Sequence, residues 1–274
     1  MADDTLSDEV GALLRSVADE IVVPMFCRLE EHEVTEKAPG EVVTVADQRA
    51  EEMITEGLLR LRPGSVVVGE EAVAADPDLL DHVRAGDGDV WVVDPIDGTA
   101  NFAAGQRPFA LMVALLTDGR QAGGWILDPL AGDLAVARAG VGACLGGRPV
   151  GLADVVRPLA DLRGAAMSHY LPPDARDRVT DGGRRIGELL PGQHCAGREY
   201  LDVLSGAQQF VLFWRTLPWD HLPGALLVRE AGGVARRFDG GEYDPADDER
   251  GLLVAANERI WTQVHAALLD GHAG

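Results

Sequence analysis

The chain has 274 residues, a length that suits one large domain or two packed lobes. Its 45 acidic residues against 24 basic ones give a net charge of −21, which argues against binding to nucleic-acid backbones or anionic lipid. No apolar stretch approaches the roughly 20 residues of a membrane span, and the acidic start MADDTLSDEV does not resemble a secretory signal. We therefore expect a soluble, cytoplasmic protein. Cys27, Cys144 and Cys195 form no CxxC pair, so we expect buried free thiols.

The hydrophobic periodicity of the first hundred residues predicts mixed α and β structure. A first helix is expected over residues 8–31, with Ser7 as its N-cap and a kink at Pro24. The segment EHEVTEKAPGE that follows is expected to be a loop. The next predicted elements are a helix over about 46–62, a strand in SVVVGEE ending at Glu70 and Glu71, a polar connection over 76–88 and a strand in DVWVV ending at Asp94.

Residues 109–145 are predicted to form an antiparallel meander, because turn-rich segments divide four β-like runs. The elements expected after it are a strand in LRGAAMS, helices over 173–190 and 198–206, a strand in QFVLF, a helix from near Asp220 to Gly232–Gly233, a strand in GLLVAA and a helix over 257–270. A boundary near residue 150 divides the chain into two halves, although no long linker marks it.

The two densest acidic motifs fall at the ends of predicted strands. Glu70 and Glu71 end one strand, and Asp94 ends another with Asp97 three residues later. Pro95 favours a turn that brings the two aspartates towards one point, which suits the rigid oxygen coordination of Mg²⁺. The alternatives are an acidic surface turn in DPIDGT and a solvated strand end at the two glutamates.

Gly98 and Thr99 follow this turn directly. A glycine permits close approach by an anion, and backbone N–H groups at a turn or helix start bind phosphate oxygens. Carboxylates that hold a metal beside amides that hold phosphate together predict a metal–phosphate site.

Three motifs, VGEE (68–71), WVVDPIDGTANF (91–102) and PWDHLPGALLVREAGG (218–233), together resemble the inositol monophosphatase family of Mg²⁺-dependent phosphatases. VTVADQRAEEMI (43–54) and GACLGGRPV (142–150) match its intervening pattern, so the resemblance covers nearly the whole chain. The resemblance implies a layered αβαβα sandwich that combines α+β and α/β structure. It implies an N-terminal α+β half over 1–150 with most metal ligands, and a C-terminal α/β half over 151–274 with Asp220 and the substrate-selectivity residues.

The resemblance also implies the metal ligands. These are the carboxylates of Glu70, Asp94, Asp97 and Asp220 and the backbone carbonyl of Ile96. An alternative role for Asp220 is to cap the helix that starts near it. Both roles are compatible with each other.

The same resemblance implies the catalytic and phosphate-binding residues. Gly98 and Thr99 match positions whose backbone contacts phosphate, and Asp47 matches a residue that orients the Thr99 hydroxyl near the attacking water. Glu71 resembles an acid close to that water, and Lys37 resembles the lysine of a mobile loop near the metals. The alternatives are a helix-capping role for Asp47 and a solvated surface charge for Lys37.

The activity that the resemblance implies is phosphate-monoester hydrolysis by a metal-activated water, with two or three Mg²⁺ per site, lithium inhibition and a homodimer. Such ions neutralise the phosphate and lower the pKa of a bound water. The chain has no GxSxG, CxxxxxR or DxDxT motif for a protein nucleophile. A small phosphorylated metabolite is the expected partner, with no nucleic acid and no membrane.

The substrate is less well defined. The region AGREYL places Arg198, Glu199 and Tyr200 where inositol-selective relatives carry small residues, and Phe213 stands where they carry a glutamate. An apolar ring accepts no hydrogen bond from a sugar hydroxyl, whereas Arg198 suits an anionic substrate or a surface ion pair. His169 and His194 are further candidates for the pocket. Inositol or another small polyol or sugar phosphate is the first expectation. Histidinol phosphate, adenosine 3′,5′-bisphosphate and a non-catalytic regulatory role are the alternatives.

Overall fold

The computed structural model describes residues 2–38, 41–247 and 249–270, with the side chains of residues 2–4, 31, 38 and 169 outside the description. Within these residues the strands form a two-stranded, a seven-stranded and a five-stranded sheet. No described helix is both long enough and apolar enough to cross a membrane. Cys195 is buried as expected, but Cys27 is exposed, so the prediction of three buried thiols is wrong for Cys27.

The chain starts with a helix that is interrupted before Pro24. Helix α1 (Ala2–Val17) continues through one π-helical turn (Ala18–Val22) into the short α2 (Val23–Met25). The sequence predicted a kink at Pro24, and the structure has a π-helical turn that ends two residues before this proline, which has no N–H for the helical ladder. The predicted start is wrong, because Ser7 lies inside α1 and is not its N-cap.

A hairpin of β1 (Val34–Ala38) and β2 (Glu41–Thr44) stands where the sequence predicted a loop. Helix α3 (Val45–Leu61) follows directly and confirms the prediction of a helix over about 46–62. Its N-cap is Thr44, which exchanges hydrogen bonds with Asp47 in a capping box.

The seven-stranded sheet carries both acidic motifs. Its strands are β3 (Val66–Gly69), β4 (Asp89–Asp97), β5 (Ala110–Thr117), β6 (Arg120–Asp128), β7 (Asp133–Arg138), β8 (Gly142–Leu145) and β9 (Arg148–Val150), in that spatial order. β3 pairs parallel to β4 and the remaining pairs are antiparallel, which confirms the predicted meander. The connection over 76–88 is not merely polar loop, since α4 (Glu70–Ala75) leads into α5 (Leu80–Ala85).

A bulge near the end of β4 shapes the DPID motif. Asp94 pairs with Met112 and Asp97 with Ala110, so one extra residue lies in β4 relative to β5. The bulge contains Pro95, which cannot donate to the ladder. The strand then turns through Gly98 into the short α6 (Thr99–Ala103).

The five-stranded sheet is built from the second half of the chain. Its strands are β10 (Arg163–Ala166), β11 (Glu188–Leu190), β12 (Phe210–Phe213), β13 (Val234–Arg237) and β14 (Leu252–Ala255), in the order β11-β10-β12-β14-β13. The helices here are α7 (Pro173–Gly183), α8 (Ala196–Ser205), α9 (Pro218–Glu230) and α10 (Glu258–Leu268). The prediction of one helix over 173–190 is wrong, since α7 ends at Gly183 and β11 follows.

Three hydrophobic clusters separate five layers and confirm the expected αβαβα sandwich. One joins α1 and α3 to the seven-stranded sheet, one packs α8 and α9 between the two sheets, and one joins α7 and α10 to the five-stranded sheet. Every strand of the larger sheet precedes residue 151 and every strand of the five-stranded sheet follows it. The division into two halves at residue 150 is still a prediction.

Candidate active site

One pocket collects residues from the ends of several strands and helices. The lining comes from the β1–β2 hairpin, the start of α4, the end of β4, and the starts of α6, α8 and α9. Its polar and charged members include Lys37, Glu41, Glu70, Asp94, Asp97, Thr99, Arg215 and Asp220. Residues at element ends are held by the scaffold while staying accessible, which is the arrangement that a binding site requires.

Three aspartates meet in this pocket. Asp94, Asp97 and Asp220 each offer a carboxylate oxygen within 4.8 Å of the other two. Asp94 and Asp97 are only 2% and 7% exposed, so water does little to screen their mutual repulsion. The Oδ1 atom of Asp94 is buried and has no hydrogen-bond partner among the described residues. A buried charge in this state needs a positive partner or a proton.

The pKa values of the three aspartates reflect their burial and their mutual repulsion. Burial, followed by the charges of Glu70 and Asp97, raises the pKa of Asp94 well above its usual range. Burial, followed by Asp97 and Glu70, likewise raises the pKa of Asp220. The pKa of Asp97 is raised to about 6 by burial, against the opposing hydrogen bonds that it accepts.

Those hydrogen bonds come from the start of α8. The backbone N–H of Ala196 donates to Asp97 Oδ1 at 3.1 Å, and that of Gly197 donates to Asp97 Oδ2 at 2.6 Å. The Cys195 thiol donates to the same Oδ2 at 3.0 Å. The helix start therefore fixes the Asp97 carboxylate towards the cluster. The contribution of Cys195 was not foreseen from the sequence.

The residues of this cluster fit a hard divalent cation. Carboxylate and carbonyl oxygens are the ligands that Mg²⁺ prefers, and a cation would give Asp94 Oδ1 the partner that it lacks. Glu70 and Ile96 line the same pocket and offer further oxygens. The Ile96 carbonyl also accepts a hydrogen bond from Thr99 Oγ1 at 2.9 Å. The structure thus brings together all five residues of the predicted ligand set.

Thr99 is tied to Asp47 as the resemblance implied. Thr99 Oγ1 lies 3.1 Å from Asp47 Oδ1, while Asp47 Oδ2 accepts from the backbone N–H and the hydroxyl of Thr44, the latter at 2.5 Å. Asp47 therefore caps α3 and contacts Thr99 at the same time, while its role beside an attacking water is still a prediction. Burial raises the pKa of Asp47 to about 7, although the Thr44 hydrogen bonds oppose that shift.

Gly98 occupies a position that other residues would strain. Its φ of 86° is left-handed, and a Cβ there would lie 3.0 Å from the Pro108 carbonyl oxygen and 3.2 Å from Cys195 Cβ. The turn between Asp97 and α6 can therefore stay tight, with Gly98 and Thr99 both in the pocket wall.

Lys37 closes one side of the acidic group. Its Nζ lies 2.7 Å from Glu70 Oε1 and 2.8 Å from Glu71 Oε1, and all three side chains are largely buried. Burial alone would lower the pKa of Lys37, but the two glutamates outweigh it and the pKa is raised. Lys37 is therefore a partner of the acidic group and not a solvated surface charge.

Glu51 is a residue of this region that sequence reasoning missed. Its carboxylate accepts the backbone N–H groups of Glu71 and Ala72, both at 2.8 Å, and so caps the start of α4. Gly69 makes room for it, because a Cβ there would clash with the Glu51 carboxyl. A signal existed: Glu51 follows Asp47 by four residues, which places both acids on one face of α3.

Arg198 and Glu199 do not fit their predicted role in substrate binding. The Arg198 guanidinium lies 3.3 Å from Asp128 and 2.5 Å from Asp202, and Arg198 does not line the pocket. Glu199 is fully buried, where its carboxylate accepts from Gln193 and Gln208. Both side chains lie about one turn beyond the start of α8. The small residues of this segment that line the pocket are Cys195 and Ala196, and the Gly197 N–H donates to Asp97.

Phe213 does line the pocket. It stacks on Tyr200 with ring centroids 5.3 Å apart and meets His221 edge-on at 4.7 Å. His194 also lines the pocket, whereas the side chain of His169 lies outside the described residues.

The five-layer sandwich and its carboxylate pocket define a layered αβαβα protein with a candidate metal–phosphate site. The sequence profile of the Inositol monophosphatase family matches residues 5–272, and the chain belongs to this family.

Similar proteins are named in two ways. An Inositol-1-monophosphatase of Mesorhizobium japonicum is 32% identical over 238 residues, which cover 86% of this chain and 85% of that protein. A Nus factor SuhB of Pseudomonas aeruginosa is 31% identical over 252 residues, which cover 89% of each. The solved structure of an IMPase from Thermotoga maritima has a TM-score of 0.79 at 25% identity and covers 97% of this chain and 96% of that one.

Proposed function

We propose that this chain is a phosphatase that hydrolyses small phosphate monoesters with bound Mg²⁺. The observation that carries the proposal is the buried Oδ1 of Asp94, which lacks a partner among the described residues beside two further carboxylates. Family membership and the relatives named Inositol-1-monophosphatase support it.

In this proposal the carboxylates of Glu70, Asp94, Asp97 and Asp220 and the carbonyl of Ile96 hold two or three ions. When bound, Mg²⁺ would neutralise the phosphate charge and lower the pKa of a coordinated water. Bound ions would also offset the repulsion that, after burial, raises the pKa of Asp94 and Asp220. Asp97 is already oriented for this task by the start of α8.

Thr99 and Asp47 orient the attacking water. The Thr99 hydroxyl shares its proton with Asp47 or with the Ile96 carbonyl, so its oxygen can accept a hydrogen bond from water. Asp47 keeps that hydroxyl in place and can take up a proton, since its pKa is about 7. The backbone N–H groups of Gly98 and Thr99 are assigned to the phosphate oxygens.

Glu71 and Lys37 act together at the edge of the site. Lys37 supplies one positive charge to Glu70 and Glu71 and limits the repulsion between them. The predicted role of Glu71 beside the attacking water is kept in the proposal, with Glu51 positioning the backbone of Glu71.

Inositol monophosphate is the substrate that the names of the relatives suggest, and other polyol or sugar phosphates come next. Histidinol phosphate and adenosine 3′,5′-bisphosphate remain the alternatives. The relatives named Nus factor SuhB are the reason to retain a regulatory role as an alternative. The cluster of Asp94, Asp97 and Asp220 favours catalysis over that alternative. Homodimer formation, lithium inhibition and a cytoplasmic location remain predictions.

The test is phosphate release from a panel of monoesters, with Mg²⁺ or with EDTA. We expect release that depends on Mg²⁺ and falls by at least about 10²-fold in Asp94→Asn, because charge stabilisation by an active-site metal is worth several kcal/mol. Asp133→Asn is the matched control, since Asp133 is an exposed aspartate on β7 outside the pocket lining. Release that is equal in EDTA, or unchanged in Asp94→Asn, would contradict the proposal.

A further inference from the structure

Part of the pocket wall has no task in the proposed hydrolysis. Beside the acidic group, the lining contains the apolar and aromatic residues Met167, Tyr170, Phe213, Trp214, Leu217 and Trp219. Such a wall is suited to the alcohol portion of a phosphate ester and not to its phosphate.

Tyr170 is an unusually exposed aromatic residue for a pocket wall, with 41% of its surface accessible. The guanidinium of Arg215 lies over its ring, 5.4 Å from the centroid. Arg215 is itself paired with Glu41 of the β1–β2 hairpin at 2.8 Å. The ion pair neutralises both charges, and the cation–π contact holds the Tyr170 ring at the pocket.

Phe213 forms a rigid section of the same wall. Its neighbours Tyr200 and His221 are locked, since Tyr200 Oη lies 3.0 Å from His221 Nδ1 and His221 Nε2 lies 2.7 Å from the Arg215 carbonyl oxygen. The wall at Phe213 is therefore apolar and fixed.

This lining suits a flat ring better than a ring of hydroxyls. Hydroxyl groups placed against the Phe213 ring or the ring face of Tyr170 would lose water without gaining a hydrogen bond from these apolar surfaces, and each such loss costs affinity. An aromatic ring placed there buries apolar area and stacks. A site with apolar walls therefore favours a substrate with an aromatic ring over one with a ring of hydroxyl groups.

We propose that the alcohol portion of the substrate carries a planar aromatic or heteroaromatic ring, and that Tyr170 and Phe213 are its specificity-determining residues. The inference rests on the proposed phosphatase function and narrows its substrate class. It moves the preferred substrate away from inositol and other polyols.

The experiment compares kcat/KM for matched esters in saturating Mg²⁺. Benzyl phosphate and cyclohexylmethyl phosphate differ in the flatness of the ring, while adenosine 3′-monophosphate and inositol 1-phosphate contrast a heteroaromatic group with a polyol. Glycerol 2-phosphate has no ring, so its hydrolysis measures the underlying phosphatase activity. We expect the flat ring to be preferred about fivefold to tenfold within the first pair, and adenosine 3′-monophosphate to be preferred by at least tenfold over inositol 1-phosphate.

Two variants test whether Tyr170 and Phe213 cause the preference for aromatic esters. Tyr170→Leu keeps an apolar side chain at an exposed position. It should lower kcat/KM for the aromatic esters about fivefold relative to kcat/KM for glycerol 2-phosphate. Phe213→Glu should shift the ratio towards inositol 1-phosphate. If that buried substitution prevents folding, as circular dichroism would show, Tyr170→Leu decides the question alone.

The outcomes separate this inference from the function on which it rests. Release from no ester, glycerol 2-phosphate included, would remove the proposed function and the inference with it. Release from glycerol 2-phosphate with a preference for inositol 1-phosphate would overturn the inference and leave the function standing. Equal loss on every ester in Tyr170→Leu would likewise overturn it, because the residue would then have no selective role.

Discussion

Thr99 Oγ1 lies 3.1 Å from Asp47 Oδ1, so the turn after β4 and the start of α3 meet through one hydrogen bond. Asp47 caps α3 through Thr44 with its other oxygen. The carboxylate is therefore fixed from both sides, and its geometry does not depend on a ligand. Thr99 is placed at the pocket wall by this fixed group.

The hydroxyl of Thr99 is expected to be needed for turnover. Thr99→Val keeps the shape of the side chain but removes the oxygen that orients water, and kcat should fall by about 10²-fold or more. Thr99→Ser keeps the hydroxyl and should retain most of the activity. Steady-state phosphate release at saturating Mg²⁺ measures both variants.

The stability of these variants serves as the control. Thr99 is half-buried, so both variants should fold and melt within a few degrees of the wild type. Equal activity in Thr99→Val and the wild type would remove Thr99 from the proposed chemistry.

Removing one charge from the cluster should stabilise the protein when no metal is present. In EDTA, Asp94→Asn relieves the repulsion from Glu70, Asp97 and Asp220, and its melting temperature should rise by several degrees. Adding Mg²⁺ at about 100 times its Kd should stabilise the wild type by about 2.7 kcal/mol. The variant should show little of that gain. Differential scanning calorimetry with and without Mg²⁺ measures both effects, and a wild-type-like response of Asp94→Asn to Mg²⁺ would contradict them.

In EDTA, the stability of the protein should fall as pH rises from 5 to 8. Burial raises the pKa of Asp47 and of Glu51 to about 7 in the folded protein, against 3.8 and 4.5 for the free groups. The folded state therefore binds more protons than the unfolded state between those values. Its stabilisation by protonation is complete below about pH 4 and is lost as pH passes 7.

Urea unfolding at several pH values measures this dependence. Each group contributes a slope of up to about 1.4 kcal/mol per pH unit within its window. Glu51→Gln removes one titrating group and should make the slope shallower. A stability that is constant or rises from pH 5 to pH 8 would show that these carboxyls do not titrate as described.

Glu51 should also matter for the folding of the acidic segment. Glu51→Ala leaves the backbone N–H groups of Glu71 and Ala72 without their acceptor, and the free energy of unfolding should drop by about 1–3 kcal/mol. Glu52→Ala is the control, because Glu52 is exposed on the same helix. Equal stability of the two variants would mean that Glu51 does not hold the start of α4.

The sequence was sufficient for features that depend on local pattern. The capping start of α3 at Thr44 follows from neighbouring residues alone. The predicted strand end at Glu70 and Glu71 is wrong, because β3 ends at Gly69 and Glu70 begins α4. The αβαβα layering required the resemblance, because periodicity does not say which sheet a helix covers. The motifs also led to the residues that converge in the pocket, although no local pattern gives the distances between them.

What the sequence did not reveal depends on contacts between distant segments. α7 ends at Gly183, next to Gly182, which packs against the backbone of Ala267 where a Cβ would clash. The chain after it pairs with β10. Arg198 was considered both for the substrate and for an ion pair, and the structure shows the ion pair, with Asp202 and with Asp128, which lies seventy residues away. Tyr170 carries no motif, so its place in the pocket required the fold.

The most direct test of the account is crystallographic. Mn²⁺ replaces Mg²⁺ at oxygen sites and scatters anomalously, so a crystal grown with Mn²⁺ reveals any ion by its own signal. The account requires an anomalous peak within coordination distance of Asp94, Asp97 and Asp220, with Asp94 Oδ1 among the ligands. A crystal grown in saturating Mn²⁺ would contradict the account if it showed no anomalous peak at this position and if the three carboxylates pointed away from one another.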